Sequence, residues 1–239
     1  MIPRAVTWAE THVGAVRKHN EDAYLCRPDL GLWAVADGAG GHQAGEVASG
    51  MIVAGLDRLE PGLTAAELLP QVRGVVNETH HALLHEASER GPRAVIASTI
   101  AILILRDDHF ACLWAGDSRV YLLRGGELTQ LTRDHSLVQA LVDEGRLTTE
   151  AAERHPQANV ITRAVGADEA DLELDKVIGR IEPGDRFLLC SDGLSKTLPE
   201  VEIAALLGSP DGVPPPELLI AATLARKGND NVTAVVVAV

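Results

Sequence analysis

The feature that most constrains this chain is an apolar run that stops at an acid. Leu32–Ala36 reads LWAVA and halts at Asp37-Gly38; Gly40 and Gly41 follow, and from Glu46 an Ala- and Val-rich stretch has helical spacing. That pattern is a buried strand, a tight glycine loop and a helix. A carboxylate at the tip of a buried strand is unfavourable unless something pairs with it. The device returns at Gly116-Asp117-Ser118, Ser191-Asp192-Gly193 and Gly228-x-Asp230-Asn231, each beside an apolar run. Any fold for this chain has to accommodate four acids at four strand edges.

The remaining pattern fixes the fold class. Between 94 and 132, AVIASTIAILIL, HFACLWAGDS, RVYLLRGG and ELTQLT are β-type runs with turn signals between them. Runs this closely spaced pair antiparallel, because parallel pairing needs a longer crossover. A first strand lies within 5–17, and DLELDKVIGRI, DRFLLCSDG and VTAVVVAV supply more. Helical periodicity covers 45–60, 64–90, 199–208 and 215–227, with Thr64 and Glu67 spaced as a capping box. DHSLVQALVDEG and TTEAAERHP predict two short helices in a polar insert suited to cover a site. Clustered strands with paired helices are an α+β pattern on antiparallel sheet and do not fit a regular βαβ series.

With 239 residues and no Pro/Ser/Gly-rich linker, the chain is expected to form one domain, 1–239. At 46% hydrophobic but 3% aromatic, its core has to be built from Ala, Val, Leu and Ile. A net charge of −13 argues against nucleic acid as a partner. A chain this acidic needs bound cations to handle an anionic substrate. Cys26, Cys112 and Cys190 are far apart, which suggests reduced thiols rather than a disulfide framework. The opening MIPRAVTWAETH lacks a signal-peptide stretch. The longest apolar run, near Ala94–Leu105, is about half of the ~20 residues that span a bilayer. The expectation is a soluble, cytoplasmic protein with no membrane partner.

Asp-Gly has a duller explanation, the type I′ hairpin turn. Yet a glycine loop and helix follow Asp37, Leu-Ser-Lys and a helix follow Asp192, and Asp230 precedes its strand. The alternative is an all-oxygen metal site, which selects magnesium or manganese. Two such ions about 4 Å apart share a water or hydroxide and clamp a phosphate for in-line attack. Gathered carboxylates stay ionised only with cations bound. Arg17, set among Asn20, Glu21 and Asp22, reads either as a solvated turn or as an anion-gripping arginine beside metal-facing acids. No G-x-S-x-G elbow is present. His81 and His85 have the i, i+4 spacing of a zinc site, but HALLH lacks the Glu of zinc proteases and reads as helix surface.

Taken in order, these strings resemble the metal-dependent serine/threonine protein phosphatases of type 2C (the PPM family), in their compact bacterial form. The resemblance is carried by Arg17-x-x-Asn20-Glu21-Asp22, Ala36-Asp37-Gly38-x-Gly40-Gly41-His42 with Ala44-Gly45-Glu46, Ala97-Ser98-Thr99, Gly116-Asp117-Ser118-Arg119, Thr132-x-Asp134-His135-Ser136, Ser191-Asp192-Gly193-Leu194 and Gly228-x-Asp230-Asn231-x-Thr233. It implies a central sandwich of two antiparallel sheets flanked by helix pairs, with a flap near 137–165. It implies hydrolysis of phosphomonoesters on phosphorylated Ser/Thr proteins by a metal-bridging hydroxide, opposing a Ser/Thr kinase, by a monomer with two Mn2+ or Mg2+ ions. Asp37 would bridge the ions and Gly38 would offer its carbonyl. Asp192 and Asp230 would complete the first site, and Glu21 and Asp22 would reach the second. Asp117 with Asp192 would form a third, weaker site, and Arg17 would hold the phosphate. Ala39 departs from the family, which has His or Met there. That leaves the proton donor open, with His42 a candidate for acid or for loop support.

Two other readings remain. A catalytically inactive relative would bind phosphoproteins without hydrolysing them. A dinucleotide-binding fold would use Gly38-x-Gly40 after a strand, with Asp57 as the ribose acid.

Overall fold

The computed structural model describes residues 2–40, 44–167, 171–209 and 212–239. In order, the strands are β1 Val6–His12, β2 Asp22–Arg27, β3 Leu32–Ala39, β4 Ala97–Ser98, β5 Ile100–Arg106, β6 His109–Ala115, β7 Arg119–Arg124, β8 Glu127–Gln130, β9 Asp175–Arg180, β10 Arg186–Cys190 and β11 Val232–Ala238. The helices are α1 Ala44–Asp57, α2 Ala65–Arg90, α3 Leu137–Asp143, α4 Thr149–Glu153, α5 Asp192–Ser195, α6 Glu200–Leu207 and α7 Pro215–Ala225. One sheet runs β1-β11-β10-β7-β8; the other runs β2-β3-β5-β6-β9, with β4 on β3. The pairings are antiparallel.

Period-two alternation explains why the two sheets stack and why helices cover both outer faces. On β3, Trp33 and Val35 point between the sheets, to meet Phe187, Leu189, Val235 and Val237. Leu32, Ala34 and Ala36 point the other way, against Ala48, Ile52 and Leu56 of α1. On β11, Val232, Ala234 and Val236 face Ile203 of α6 and Leu219 of α7. Both faces of the central strands are buried, so they read as near-continuous apolar runs such as AILIL and, broken only by Thr233, VTAVVVA. The expected sandwich with flanking helix pairs is what forms. The capping box also forms, with the Glu67 carboxylate accepting from the Thr64 amide at 2.9 Å and its hydroxyl at 2.7 Å.

Four local expectations are corrected. The run from 94 to 105 breaks at Thr99 into β4 and β5. β3 does not stop at Asp37: Gly38 and Ala39 continue it, opposite Ser98 and Ala97. A helical turn, α5, begins at Asp192 itself. Finally, β5 pairs with β6 and β7 with β8, but β6 and β7 belong to different sheets. Gly116-Asp117-Ser118 is therefore a crossing from one sheet to the other. Gly116 holds φ +113°, and a Cβ there would lie 2.6 Å from Thr99, so only glycine lets the chain turn this tightly.

The wholly antiparallel sheets exclude the dinucleotide-binding alternative, and its supposed ribose acid, Asp57, ends α1 beside Arg27. Cys112 and Cys190 are buried and unpaired, and Cys26 is half-buried and unpaired. Among the described residues, no helix is long and apolar enough to cross a membrane.

Candidate metal centre

The acids singled out by the sequence sit where the two sheets meet at one end. Asp22 opens β2 directly opposite Asp37 on β3. Asp117 follows β6, Asp192 follows β10, and Asp230 precedes β11. Side-chain bonds lock these ends together across the sandwich. Asp22 Oδ2 accepts from Ser191 Oγ and Thr233 Oγ1, both at 2.7 Å. Asn231 Oδ1 accepts from the Glu21 amide at 2.9 Å, while Asn231 Nδ2 donates to the Val13 and His19 carbonyls at 2.8 and 2.9 Å. The Asp37 amide donates to Thr99 Oγ1 at 3.1 Å, and that hydroxyl meets Ser118 Oγ at 2.7 Å.

Glycines let the backbones close in. A Cβ on Gly193 would lie 1.9 Å from the Asn231 carbonyl oxygen and 3.4 Å from Asp230 Cβ. The Asp192 and Asp230 loops are thus in direct contact. A Cβ on Gly45 would lie 2.7 Å from the Gly38 carbonyl and 2.8 Å from Glu21 Cδ. The first turn of α1 therefore rests on Gly38 with Glu21 beside it, and Ser49 Oγ donates to the Glu21 carbonyl at 2.6 Å.

The electrostatics record the same convergence. Burial, followed by the charges of Asp22, Asp192, Asp117 and Asp230, holds the Asp37 carboxyl well above the usual range. Burial pushes Asp22 up to about 7, opposed by its two hydroxyl donors and reinforced by Asp192 and Asp230. Asp117 rises to about 6, again through burial and then Asp192, against the pull of Lys196.

Two basic side chains partly offset this charge. Arg17 Nη2 pairs with Asp230 Oδ2 at 2.8 Å and remains half exposed. The expected phosphate anchor is thus held by an acid expected to bind metal. Lys196 Nζ donates to Asp192 Oδ2 at 2.6 Å, Asp117 Oδ2 at 2.8 Å and Asn159 Oδ1 at 3.0 Å. Burial disfavours the Lys196 ammonium, but Asp192 and Asp117 prevail and raise its pKa above the ordinary lysine value.

Two buried oxygens, Asp22 Oδ1 and Asp117 Oδ1, have no hydrogen-bond partner. The Asp22 oxygen, opposite Asp37, suits a hard divalent cation, whereas the Asp117 oxygen belongs to a carboxylate that Lys196 already holds through Oδ2. The acids do not form a ready-made cage, however. Among the described residues, no three His, Cys, Asp or Glu side chains stand at metal-chelating spacing. Arg17 and Lys196 engage oxygens of three of the acids, Asp230, Asp117 and Asp192. The donor set fits the two-ion part of the expectation. It does not fit the third ion, because Lys196 lies between Asp117 and Asp192.

His42 and Gly41 lie outside the described residues. His81 and His85 are exposed on α2, and His81 faces Asp171 at 3.5 Å, as expected of a helix surface. A cavity of about 620 Å³ adjoins the end of β3, lined by Ala39, Ala97, Thr162, Arg163, Asp171 and Glu173 among others. Lys196 was not foreseen as part of the site. The available signal was its spacing, four residues after Asp192 and on the same face of a helical turn. Ser191, Thr233 and Asn231 lay inside recognisable strings, but nothing in their order showed that they buttress Asp22 and Glu21.

Comparison with known proteins agrees with this geometry. Residues 12–210 match the model of the family described as Protein phosphatase 2C. The chain is 38% identical over 228 residues to the serine/threonine protein phosphatase PstP of Mycobacterium tuberculosis, covering 95% of this chain and 44% of PstP. It therefore spans under half the length of that relative. Among solved structures, PppA, described as a key regulatory component of T6SS in Pseudomonas aeruginosa, superposes with a TM-score of 0.91 at 42% identity, over 99% of this chain and 98% of PppA. The catalytic domain of PstP in complex with two manganese ions gives a TM-score of 0.86 at 36% identity, over 98% and 97% of the two chains. A match of this extent, on a sandwich whose acids meet at one end, leaves one conclusion: the chain belongs to the protein phosphatase 2C family.

Proposed function

We propose that this chain is a metal-dependent phosphatase of phosphorylated serine and threonine residues in proteins. The observation that supports this most is the meeting of Asp22, Asp37, Asp117, Asp192 and Asp230 in one another's field at the end of the sandwich. We read Asp37, Asp192 and Asp230, with the Gly38 carbonyl, as ligands of a first Mn2+ or Mg2+ ion. Asp37, with Glu21 and Asp22, would hold a second ion. When bound, such a pair of ions makes water a nucleophile near neutral pH and offsets the charge of the phosphate. The chain's own residues supply the rest. Ser191 and Thr233 fix the Asp22 carboxylate, and the Thr99 hydroxyl holds the backbone of Asp37. Arg17 is free to exchange Asp230 for a phosphate oxygen because it is half exposed. The cavity beside Ala39 offers room for the peptide that carries the phosphate.

In this reading, residues 1–239 act as one catalytic domain with α3 and α4 in a flap near 137–165. The protein works as a cytoplasmic monomer opposite a Ser/Thr kinase. The deciding test is phosphate release from a phosphoserine peptide and from p-nitrophenyl phosphate, with manganese and with a chelator. Turnover with manganese that a chelator abolishes, and that Asp37→Asn or Asp192→Asn nearly eliminates, is the expected result. Full activity in chelator overturns the metal mechanism. Peptide binding without turnover in manganese favours an inactive binding protein.

A further inference from the structure

The third cation position implied by Asp117 and Asp192 lies around Lys196. An ammonium has three N–H donors, and here all three are used: on Asp192 Oδ2 at 2.6 Å, Asp117 Oδ2 at 2.8 Å and Asn159 Oδ1 at 3.0 Å. Two of the acceptors are the carboxylates that would coordinate a third ion. The third belongs to the insert that carries α3 and α4. Asp117 is only 2% exposed, so its charge needs a permanent partner. Local geometry makes the arrangement hard to avoid. α5 begins at Asp192, and one turn brings Lys196 back over that residue's face. Gly193 is wedged against Asn231, which fixes where the turn starts.

We propose that Lys196 is a built-in cation that takes the place of the third metal ion. The chain then binds two divalent ions where an uncharged residue at 196 would admit three. Charge supplied by the polypeptide is not lost on dilution or chelation. The Asp117 side therefore stays neutralised at any metal concentration, and Asn159 keeps the insert tethered to it. A divalent ion at this position would have to displace an ammonium already bonded to both carboxylates.

The proposal rests on the metal-dependent reading above, and calorimetric titration of the metal-stripped full chain with MnCl2 separates the two. Two equivalents for the natural chain, three for Lys196→Ala with the added one weaker, and two for Lys196→Arg are expected. In chelator, Lys196→Ala should melt below the natural chain and recover with millimolar Mn2+; Lys196→Arg should show no such extra recovery. Three equivalents in the natural chain, or two in a folded Lys196→Ala, overturn the proposal. No binding at all removes the metal-centre reading and this inference with it. If Lys196→Ala does not fold, the stoichiometry of the natural chain still decides, since a third equivalent there is incompatible with Lys196 holding the position.

Discussion

Asp22, Asp37 and Asp117 bind protons more tightly in the folded chain than carboxyls usually do, because burial and neighbouring acids disfavour their ionised forms. Linkage fixes the sign of the consequence. The folded pKa values are raised, so their contribution to stability is full below about pH 4, where unfolded carboxyls titrate, and is lost as pH rises through about 6 for Asp117 and about 7 for Asp22. In the proposed two-ion centre, divalent cations would bind ionised Asp22 and Asp37 and reverse their share of that loss. The rise in melting temperature on adding Mn2+ should therefore be larger at pH 7.5 than at pH 5.5, which differential scanning fluorimetry would show. At Arg17 the expected effect is kinetic. Its pairing with Asp230 is solvent-exposed, so Arg17→Ala should leave the fold intact. A lost charge-assisted bond of about 1.5–3 kcal/mol to phosphate should raise KM by about 10–150-fold with kcat little changed. A fall in kcat alone would contradict a simple anchoring role.

Among the elements, the α5 turn and the loop before β11 matter most, because they press together two acids of the proposed metal centre. Gly193 makes that contact possible. A Cβ there would sit 1.9 Å from the Asn231 carbonyl oxygen, and backbone on both sides cannot yield easily. Gly193→Ala should destabilise the protein by about 1–3 kcal/mol or more and weaken Mn2+ binding by moving Asp192 away from Asp230. Chemical denaturation and metal titration of the one variant would check both effects. By contrast, Gly50 and Gly74 have open space where a Cβ would go. Gly→Ala at either helical position should be neutral or stabilising, which makes them controls for glycine loss as such.

The whole molecule depends on the layer between its two sheets, since that layer sets how the strand ends meet. Phe110 and Phe187 stack edge-on across it with ring centroids 5.1 Å apart, and Phe187 is fully buried. In a chain with so few aromatics, this pair is a large share of the bulky contacts between sheets. Phe187→Ala should cost about 3–5 kcal/mol, measured by urea unfolding. Much of the architecture was legible beforehand because it follows from periodicity. Alternation in the strands, the Thr64–Glu67 cap and the helical spacing of 45–60 are local properties. The crossing between β6 and β7 was not legible. A hairpin and a sheet-to-sheet crossing both begin with a short polar turn, and the difference lies in Gly116 packing against Thr99.

The sequence alone determined which residues are acids at strand edges, that the strands pair antiparallel, and the ordered strings that resemble one family. It could do so because hydrophobic period and turn chemistry act over a few residues. Only the tertiary structure decided which oxygen meets which cation. The pairing of Arg17 with Asp230 spans 213 positions, and that of Lys196 with Asp117 spans 79. Such partners are chosen by how two sheets stack, and no local pattern encodes the distance between them.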